Sequence, residues 1–197
     1  MTQLAAISQD PWFSRATSPE SADHAALDLD PMPEVSFARV LDVARWIRDE
    51  LESIDVTGVP KTSGADGLHI YIPLPAGTPY DAGRLFCQII ATVVAHKHSK
   101  VATIERAVDA RGYRVYIDYL QNIPGKTLAT AYSARASAYA GASTPLRWRE
   151  VDHGVKREQF TIETVPARIS EVGDLWAALR KANGVDLSRA ARYVQNA

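Results

Sequence analysis

The sequence predicts an α+β domain, in which a mixed or antiparallel sheet carries its helices on one face. Three observations support this: short apolar alternations typical of strands, two longer segments with apolar residues at helical spacing, and an order without the regular rhythm of parallel βαβ units. The chain has 197 residues, 46% of them hydrophobic and 23% charged, and a net charge of about −1. It therefore has no overall basic field of the kind that nucleic-acid-coating proteins use.

The first elements follow from hydrophobic periodicity and from breaker residues. Residues 25–29 are apolar except for Asp28, which predicts a buried strand, and the prolines that follow end it. Ser36 is a suitable N-cap for a helix over residues 37–51, where apolar residues recur at helical spacing. Residues 54–59 predict a second strand.

The middle of the chain alternates between strands and one long helix. A polar, glycine-containing loop is predicted over residues 61–67, and the alternation in 68–72 predicts a strand after it. A helix is predicted over residues 80–98. The strongest alternation lies in residues 113–120, and residues 128–132 predict one more strand.

The C-terminal part is predicted to contain shorter elements. Residues 145–151 indicate a short helix or turn, residues 160–165 a strand, and residues 172–181 a helix. A further helix is expected from Asp186 onwards.

Length and composition limit the domain organisation. We expect a catalytic core over residues 1–182 and a helical extension over residues 183–197. Cys87 is the only cysteine, which excludes an intrachain disulfide and fits a reducing compartment. No apolar run approaches the roughly 18 residues needed to span a bilayer, and no signal peptide is recognised. The expected location is the cytoplasm, with no membrane partner.

Three acidic residues form the first candidate site. Asp28 and Asp30 are two positions apart in a predicted strand, so their side chains share one face. Asp118 lies within another apolar strand, where burial of a lone carboxylate is costly. If the strands are adjacent, the three carboxylates converge and could hold two Mg²⁺ or Mn²⁺ ions for phosphoryl transfer. The alternative is a solvated strand end with Asp118 at the surface.

The loop at residues 61–67 is the second candidate. Its glycines allow a ligand to approach the backbone closely, and successive N–H groups in such a turn can bind an anion. Ser63 adds a hydroxyl and His69 an imidazole at the start of the next strand. A triphosphate cradle is one interpretation, and an ordinary hairpin turn with a half-buried His69 is the other.

The third candidate surrounds Asp118 in the sequence. Gln121 can hydrogen-bond a base, a sugar or nearby backbone, Arg135 can bind phosphate in a bidentate manner, and Arg111 precedes the acidic strand. The alternative is a hairpin with polar surface residues.

Taken together and in this order, the motifs resemble the polymerase domain of bacterial ATP-dependent DNA ligase D, a member of the archaeo-eukaryotic primase superfamily. The resemblance covers roughly residues 3–182 and implies a primase-type, RRM-like catalytic core. The matching stretches are DLDPMPEVSFARV (28–40), KTSGADGLHIYIPL (61–74), RVYIDYLQNIPGKTLATAYSARA (114–136), STPLRWREV (143–151) and GDLWAAL (173–179).

The resemblance implies a DNA-directed nucleotidyltransferase that adds nucleotides or ribonucleotides to a primer 3′-hydroxyl during end joining or gap filling. Two Mn²⁺ or Mg²⁺ ions, nucleoside triphosphates and DNA primer-templates or ends are the implied cofactors and partners. The implied catalytic, metal-binding residues are Asp28, Asp30 and Asp118, and the implied nucleotide-binding residues are Ser63, His69, Arg111, Gln121 and Arg135.

Two departures from the family pattern leave alternatives open. Asp66 stands where the family usually has lysine, and Asp10 where it often has histidine, so acids replace bases beside the expected triphosphate. Asp66 could turn outward or pair with Lys61. The usual domain also has about a hundred more residues upstream, which bind template and a 5′-phosphate. A degenerate nucleotide- or DNA-binding module, or a subunit whose protein partner supplies the missing part, are therefore the alternatives.

Overall fold

A computed structural model describes residues 7–182 and 184–189, and within them five strands form one mixed sheet flanked by helices. The strands are β1 (His24–Pro31), β2 (Val59–Thr62), β3 (Leu68–Pro73), β4 (Ala102–Thr103) and β5 (Val115–Asp118). The helices are α1 (Phe37–Glu52), α2 (Tyr80–Lys97), α3 (Trp148–Asp152), α4 (Thr164–Val172) and α5 (Ala177–Lys181). Short 3₁₀ helices occupy Val108–Ala110 and Arg157–Gln159. No helix in this described part is long and apolar enough to cross a membrane.

Strand β1 lies at the centre of the sheet, whose order is β2-β3-β1-β5-β4. It pairs antiparallel with both β3 and β5, β2 pairs antiparallel with β3, and only β4 and β5 are parallel. The predicted α+β class with a mixed sheet and flanking helices is confirmed. The central position of β1 matters because its two neighbours bring their own side chains beside Asp28.

The two long helices cover one face of the sheet. On β1, Leu27 and Leu29 are fully buried, and Gly83 of α2 approaches the Cβ of Ala25. On β3, the side chain of Ile70 lies on the same side as Leu51 of α1, since both contact the position of Gly58. Burial of this apolar face supplies the main driving force for folding. The alternate residues of each strand therefore point to the opposite face.

Not every helix lies on that face. The ring of Trp176, at the start of α5, packs edge-on against Tyr71 with 4.8 Å between ring centroids. Tyr71 lies two residues after His69 in β3 and shares its face. The prediction of helices on one face is therefore correct for α1 and α2 but wrong for α5.

Several element boundaries differ from the prediction. Residues 54–58 form a turn and an irregular segment rather than a strand, because α1 runs on to Glu52 and Asp55 takes a positive φ of 54°. Strand β2 starts at Val59 and includes Lys61 and Thr62, which were assigned to the loop. The strand predicted over residues 113–120 is reduced to β5, because the chain turns after Asp118.

The C-terminal half contains the other corrections. Residues 128–132 form no strand, since Tyr132 has a φ of 67° and Thr130 bonds to the N-terminal segment instead. Within residues 160–165 the only pairing is a single bridge at Thr161, and α4 begins at Thr164. The helix predicted over 172–181 is split, because Gly173 ends α4 with a φ of 77°. The predicted helix from Asp186 lies mostly outside the described residues, so the boundary at 182/183 stays a prediction.

The side chain of Asn122 continues the pairing of β1 where β5 ends. Its Oδ1 accepts the backbone N–H of Ala26 at 2.7 Å, and its Nδ2 donates to the carbonyls of Ala26 and Tyr119 at 2.8 and 2.7 Å. Asn122 is only 2% exposed. A buried backbone group needs such a partner, so this amide stabilises the strand that carries Asp28.

Candidate functional site

Four ionisable residues form one row across the face opposite the long helices. Asp28 of β1 stands directly opposite Asp118 of β5 on one side and His69 of β3 on the other, and His69 is in turn opposite Lys61 of β2. Side chains directly opposite each other in a sheet are near neighbours. The sheet register therefore places two carboxylates, an imidazole and an amino group in line.

Asp28 is the centre of this row. Its side chain is 19% exposed, and its Oδ1 lies 3.3 Å from Nε2 of His69. Burial, reinforced by the negative charges of Asp118 and Asp30, raises the pKa of Asp28 to about 7. Carboxylates packed this closely favour a proton or a cation between them.

Asp30 lies further out and is held by an arginine. Its carboxylate is 60% exposed, and Oδ2 is 3.3 Å from Nη1 of Arg111. The same guanidinium stacks 3.8 Å from the ring centroid of Tyr116 and donates to the carbonyls of Glu105 and Arg106. Arg111 is thus fixed in place as a counter-charge to Asp30. Burial still raises the pKa of Asp30, although Arg111 opposes that rise.

The carboxylate of Asp118 is oriented by its own turn. Its Oδ1 accepts the backbone N–H of Leu120 at 2.7 Å and the hydroxyl of Tyr116 at 3.3 Å. Its Oδ2 accepts from Nε2 of Gln121 at 2.9 Å. Gln121 therefore contacts Asp118 directly and orients its carboxylate.

Asp28 and Asp118 lie opposite each other on adjacent strands, as the sequence predicts, but Asp30 and Asp118 are engaged by neighbouring side chains. Across residues 7–182 and 184–189, no three or more His, Cys, Asp or Glu side chains are arranged to hold a metal ion. The reason is visible in their partners, because Asp30 turns to Arg111 and Asp118 to Gln121. The oxygen donors themselves still suit a hard divalent cation. Burial first, and then repulsion from Asp118 and Asp30, raises the pKa of Asp28, and such a cation would oppose both effects.

The loop after β2 is folded around Ser63. The Ser63 hydroxyl oxygen accepts the backbone N–H groups of Ala65 and Gly67 at 3.1 and 3.0 Å. These two N–H groups are therefore engaged within the loop. A hydroxyl that accepts two bonds keeps one proton to donate, so Ser63 itself is the donor that this loop offers.

Glycine is required where this loop meets Arg135. Gly64 has a φ of 81°, and a Cβ there would lie 2.5 Å from Cγ of Arg135. Gly141 approaches from the other side, since a Cβ on it would lie 2.2 Å from the carbonyl oxygen of Gly64. The close packing holds the arginine stem against the loop, which aims its guanidinium at the site.

Arg135 and an N-terminal acid face each other at the site. Nη1 of Arg135 lies 3.6 Å from Oδ1 of Asp10, and both side chains are about one third exposed. Both line a cavity of about 580 Å³. Its lining includes the predicted residues Asp28, Asp30, Ser63, His69 and Arg135 together with Ser8, Asp10, Asp66 and Thr127. The lining does not include Asp118, Gln121 or Arg111. They contact it indirectly, since Asp118 lies opposite Asp28, Gln121 donates to Asp118, and Arg111 donates to Asp30.

Asp66 pairs with a residue that sequence reasoning missed. Its carboxylate is 71% exposed and forms an ion pair with Arg157, whose guanidinium also lies above the ring of Tyr139. Of the two alternatives, an outward turn is therefore closer to the structure, and pairing with Lys61 is wrong. The acid remains in the lining of the cavity, and its counter-charge, Arg157, is shared with Glu158.

Comparison with known proteins identifies the family of this chain. The family model for the LigD primase-polymerase domain matches residues 1–176. The chain belongs to that family. This chain is 36% identical over 148 residues to the bifunctional non-homologous end joining protein LigD of Bacillus subtilis. The match covers 75% of this chain and 24% of the relative. The chain is 31% identical over 176 residues to multifunctional LigD of Mycobacterium tuberculosis, covering 89% and 23%.

The solved structures agree. The polymerase domain of Mycobacterium tuberculosis ligase D in complex with DNA superposes with a TM-score of 0.79 at 28% identity, covering 90% of this chain and 64% of that one. The LigD domain chain spans about a quarter of the length of the curated relatives that it matches.

Lys61 is the second residue that sequence reasoning missed. It was placed in a loop, where the position of its side chain relative to the sheet has no meaning. In β2 it is fully buried beside His69. The available signal was its spacing from His69 across a tight turn, since residues opposite each other in a hairpin share a face.

Proposed function

We propose that this LigD domain transfers nucleotides or ribonucleotides from a nucleoside triphosphate to a primer 3′-hydroxyl at DNA ends or gaps. The observation that carries the proposal is the cross-strand placement of Asp118, Asp28 and His69 beside the cavity that Ser63 and Arg135 line. This arrangement places carboxylates next to donors for a triphosphate.

The roles follow from the contacts. Asp28, Asp30 and Asp118 would hold two divalent cations, which supply stabilisation of the attacking and leaving oxygens when bound. Gln121 keeps the carboxylate of Asp118 oriented. Arg111 neutralises the charge of Asp30 in the absence of a cation.

The basic and hydroxyl groups would bind the triphosphate. Arg135 can offer two parallel N–H groups to phosphate oxygens, and Ser63 one hydroxyl proton. His69 adds a ring N–H beside Asp28. The 3′-hydroxyl oxygen attacks the α-phosphorus in line and releases its proton to solvent. The bond between the α-phosphorus and the oxygen bridging to the β-phosphorus breaks, and pyrophosphate leaves, so the protein contributes mainly position and charge.

Manganese-dependent extension of a labelled primer on a gapped DNA template tests this proposal. Each nucleoside triphosphate is supplied separately, and Asp28→Ala/Asp30→Ala serves as the inactive control. Extension by the wild type that the control lacks would support the proposal. A wild type that binds triphosphate and manganese in calorimetry yet never extends the primer would refute templated synthesis.

A binding module without synthesis is the second candidate. The acids Asp10 and Asp66 favour it, because both line the cavity where a triphosphate would carry its negative charge. Asp10 also occupies Arg135, and a ligand has to displace it. Restoration of extension in Asp66→Lys, with none in the wild type, would support this second candidate.

A further inference from the structure

Lys61 is a buried lysine to which the proposed reaction gives no role. It is 0% exposed. Its Nζ lies 2.8 Å from Nδ1 of His69 and 3.4 Å from the carbonyl oxygen of Thr62, and it is hydrogen-bonded to Oγ of Ser143. Because a buried amino group without partners is costly, these three contacts explain how the residue is accommodated.

The directions of these hydrogen bonds can be assigned. Ser143 donates its only hydroxyl proton to the carbonyl oxygen of Thr62 at 2.8 Å, so its Oγ accepts from Lys61. The carbonyl of Thr62 can only accept. Below its folded pKa of about 7, Lys61 is an ammonium group with three N–H groups and no lone pair, which matches the three acceptors. The third acceptor is therefore Nδ1 of His69, which must be unprotonated.

The other ring nitrogen follows. A ring whose Nδ1 accepts a hydrogen bond from Lys61 is neutral, because the doubly protonated ring has no lone pair with which to accept. A neutral imidazole carries one proton, which leaves it on Nε2. This nitrogen is the one 3.3 Å from Oδ1 of Asp28, and His69 lines the cavity.

We propose that Lys61 is a positioning residue that holds His69 in the tautomer with its proton on Nε2. In the opposite tautomer, Nε2 would present a lone pair to any anion in the cavity and repel it. The assignment of the tautomer is independent of the reaction. Its consequence for a triphosphate rests on the proposed function.

Nitrogen-15 NMR of histidine-labelled protein tests the tautomer directly, without metal or nucleotide. In the wild type we expect the His69 Nδ1 signal of an unprotonated nitrogen and the Nε2 signal of a protonated one. In Lys61→Met, which keeps the length of the side chain, nothing donates to Nδ1, and a signal from protonated Nδ1 should appear. Ser143→Ala is the matched control, because it removes one acceptor of Lys61 and leaves the contact with His69 intact.

Two results would overturn the assignment. Protonated Nδ1 in the wild type would do so even if Lys61→Met did not fold. A Lys61→Met spectrum identical to that of the wild type would show that Lys61 does not select the tautomer.

Calorimetric binding of inorganic tripolyphosphate separates positioning from direct contact. We expect Lys61→Met and His69→Ala each to weaken binding on the order of tenfold, the effect of losing one donor to a charged ligand. The double variant should lose no more than His69→Ala alone. Additive losses would show that Lys61 contacts the anion itself and would overturn the proposal. No binding by the wild type would count against the proposed function, while the NMR result would still decide the tautomer.

Discussion

Replacing Asp28 with asparagine should make the ion-free domain more stable at neutral pH and should flatten its dependence on pH. The folded-state pKa of Asp28 is about 7, whereas its ordinary value is 3.8. Between these values the folded protein binds a proton that the unfolded chain has released. The free energy of unfolding therefore falls as pH rises through this window, and the stabilisation by the bound proton is gone above the folded pKa.

The size of this effect follows from the difference between the two pKa values. One pKa unit corresponds to about 1.4 kcal/mol, so the whole window is worth about 4 kcal/mol. Between pH 5 and pH 8 the wild type should lose about 2.5 kcal/mol through this group. Burial lowers the pKa of Lys61 to about 7, so this residue adds stability as pH rises above that value. The charge of Asp28 raises the pKa of Lys61, so Asp28→Asn lowers that pKa further. The variant then gains more stability than the wild type as pH rises, which increases the expected difference in the same direction.

Urea unfolding at pH 5 and pH 8, with a chelator present, measures the effect. From pH 5 to pH 8, the free energy of unfolding should fall by about 2.5 kcal/mol more in the wild type than in Asp28→Asn. Asp81→Asn is the matched control, because this carboxylate is 85% exposed on α2 and should leave the pH dependence unchanged. Equal pH dependence in the wild type and Asp28→Asn would refute the reasoning.

Three other substitutions test the contacts around the site. Asn122→Ala should lower the unfolding free energy in urea by about 3 kcal/mol, since it leaves buried backbone groups of β1 unpaired; a loss below about 1 kcal/mol would contradict this. Asp10→Asn should strengthen tripolyphosphate binding about threefold in low-salt calorimetry, because it frees Arg135, and unchanged affinity would count against that role. Gly64→Ala should weaken the same binding and lower the thermal midpoint more than Gly77→Ala, which has a similar φ but open space around it, and equal effects would show that backbone strain alone is responsible.

The structure differs from the sequence-based prediction chiefly where hydrogen bonds to distant segments determine the path of the chain. The helices and central strands were predictable, because their apolar periodicity reflects burial against one face. For residues 128–132, the local composition is compatible with the strand that was expected there. The strand is absent because hydrogen bonds from Thr130 and Tyr132 go to distant segments of the chain. Such long-range partners leave no trace in a local pattern.

The sequence by itself determined that acids, a serine, a histidine and an arginine occur in the order of the LigD polymerase family, and that Asp28 and Asp30 share one face of a strand. Only the tertiary structure decided what each side chain meets. The sheet register sets Asp28 between Asp118 and His69, and the extension of β2 into the predicted loop buries Lys61 beside that histidine. The physical reason is that strand alternation is local, whereas register and pairing depend on which strands become neighbours.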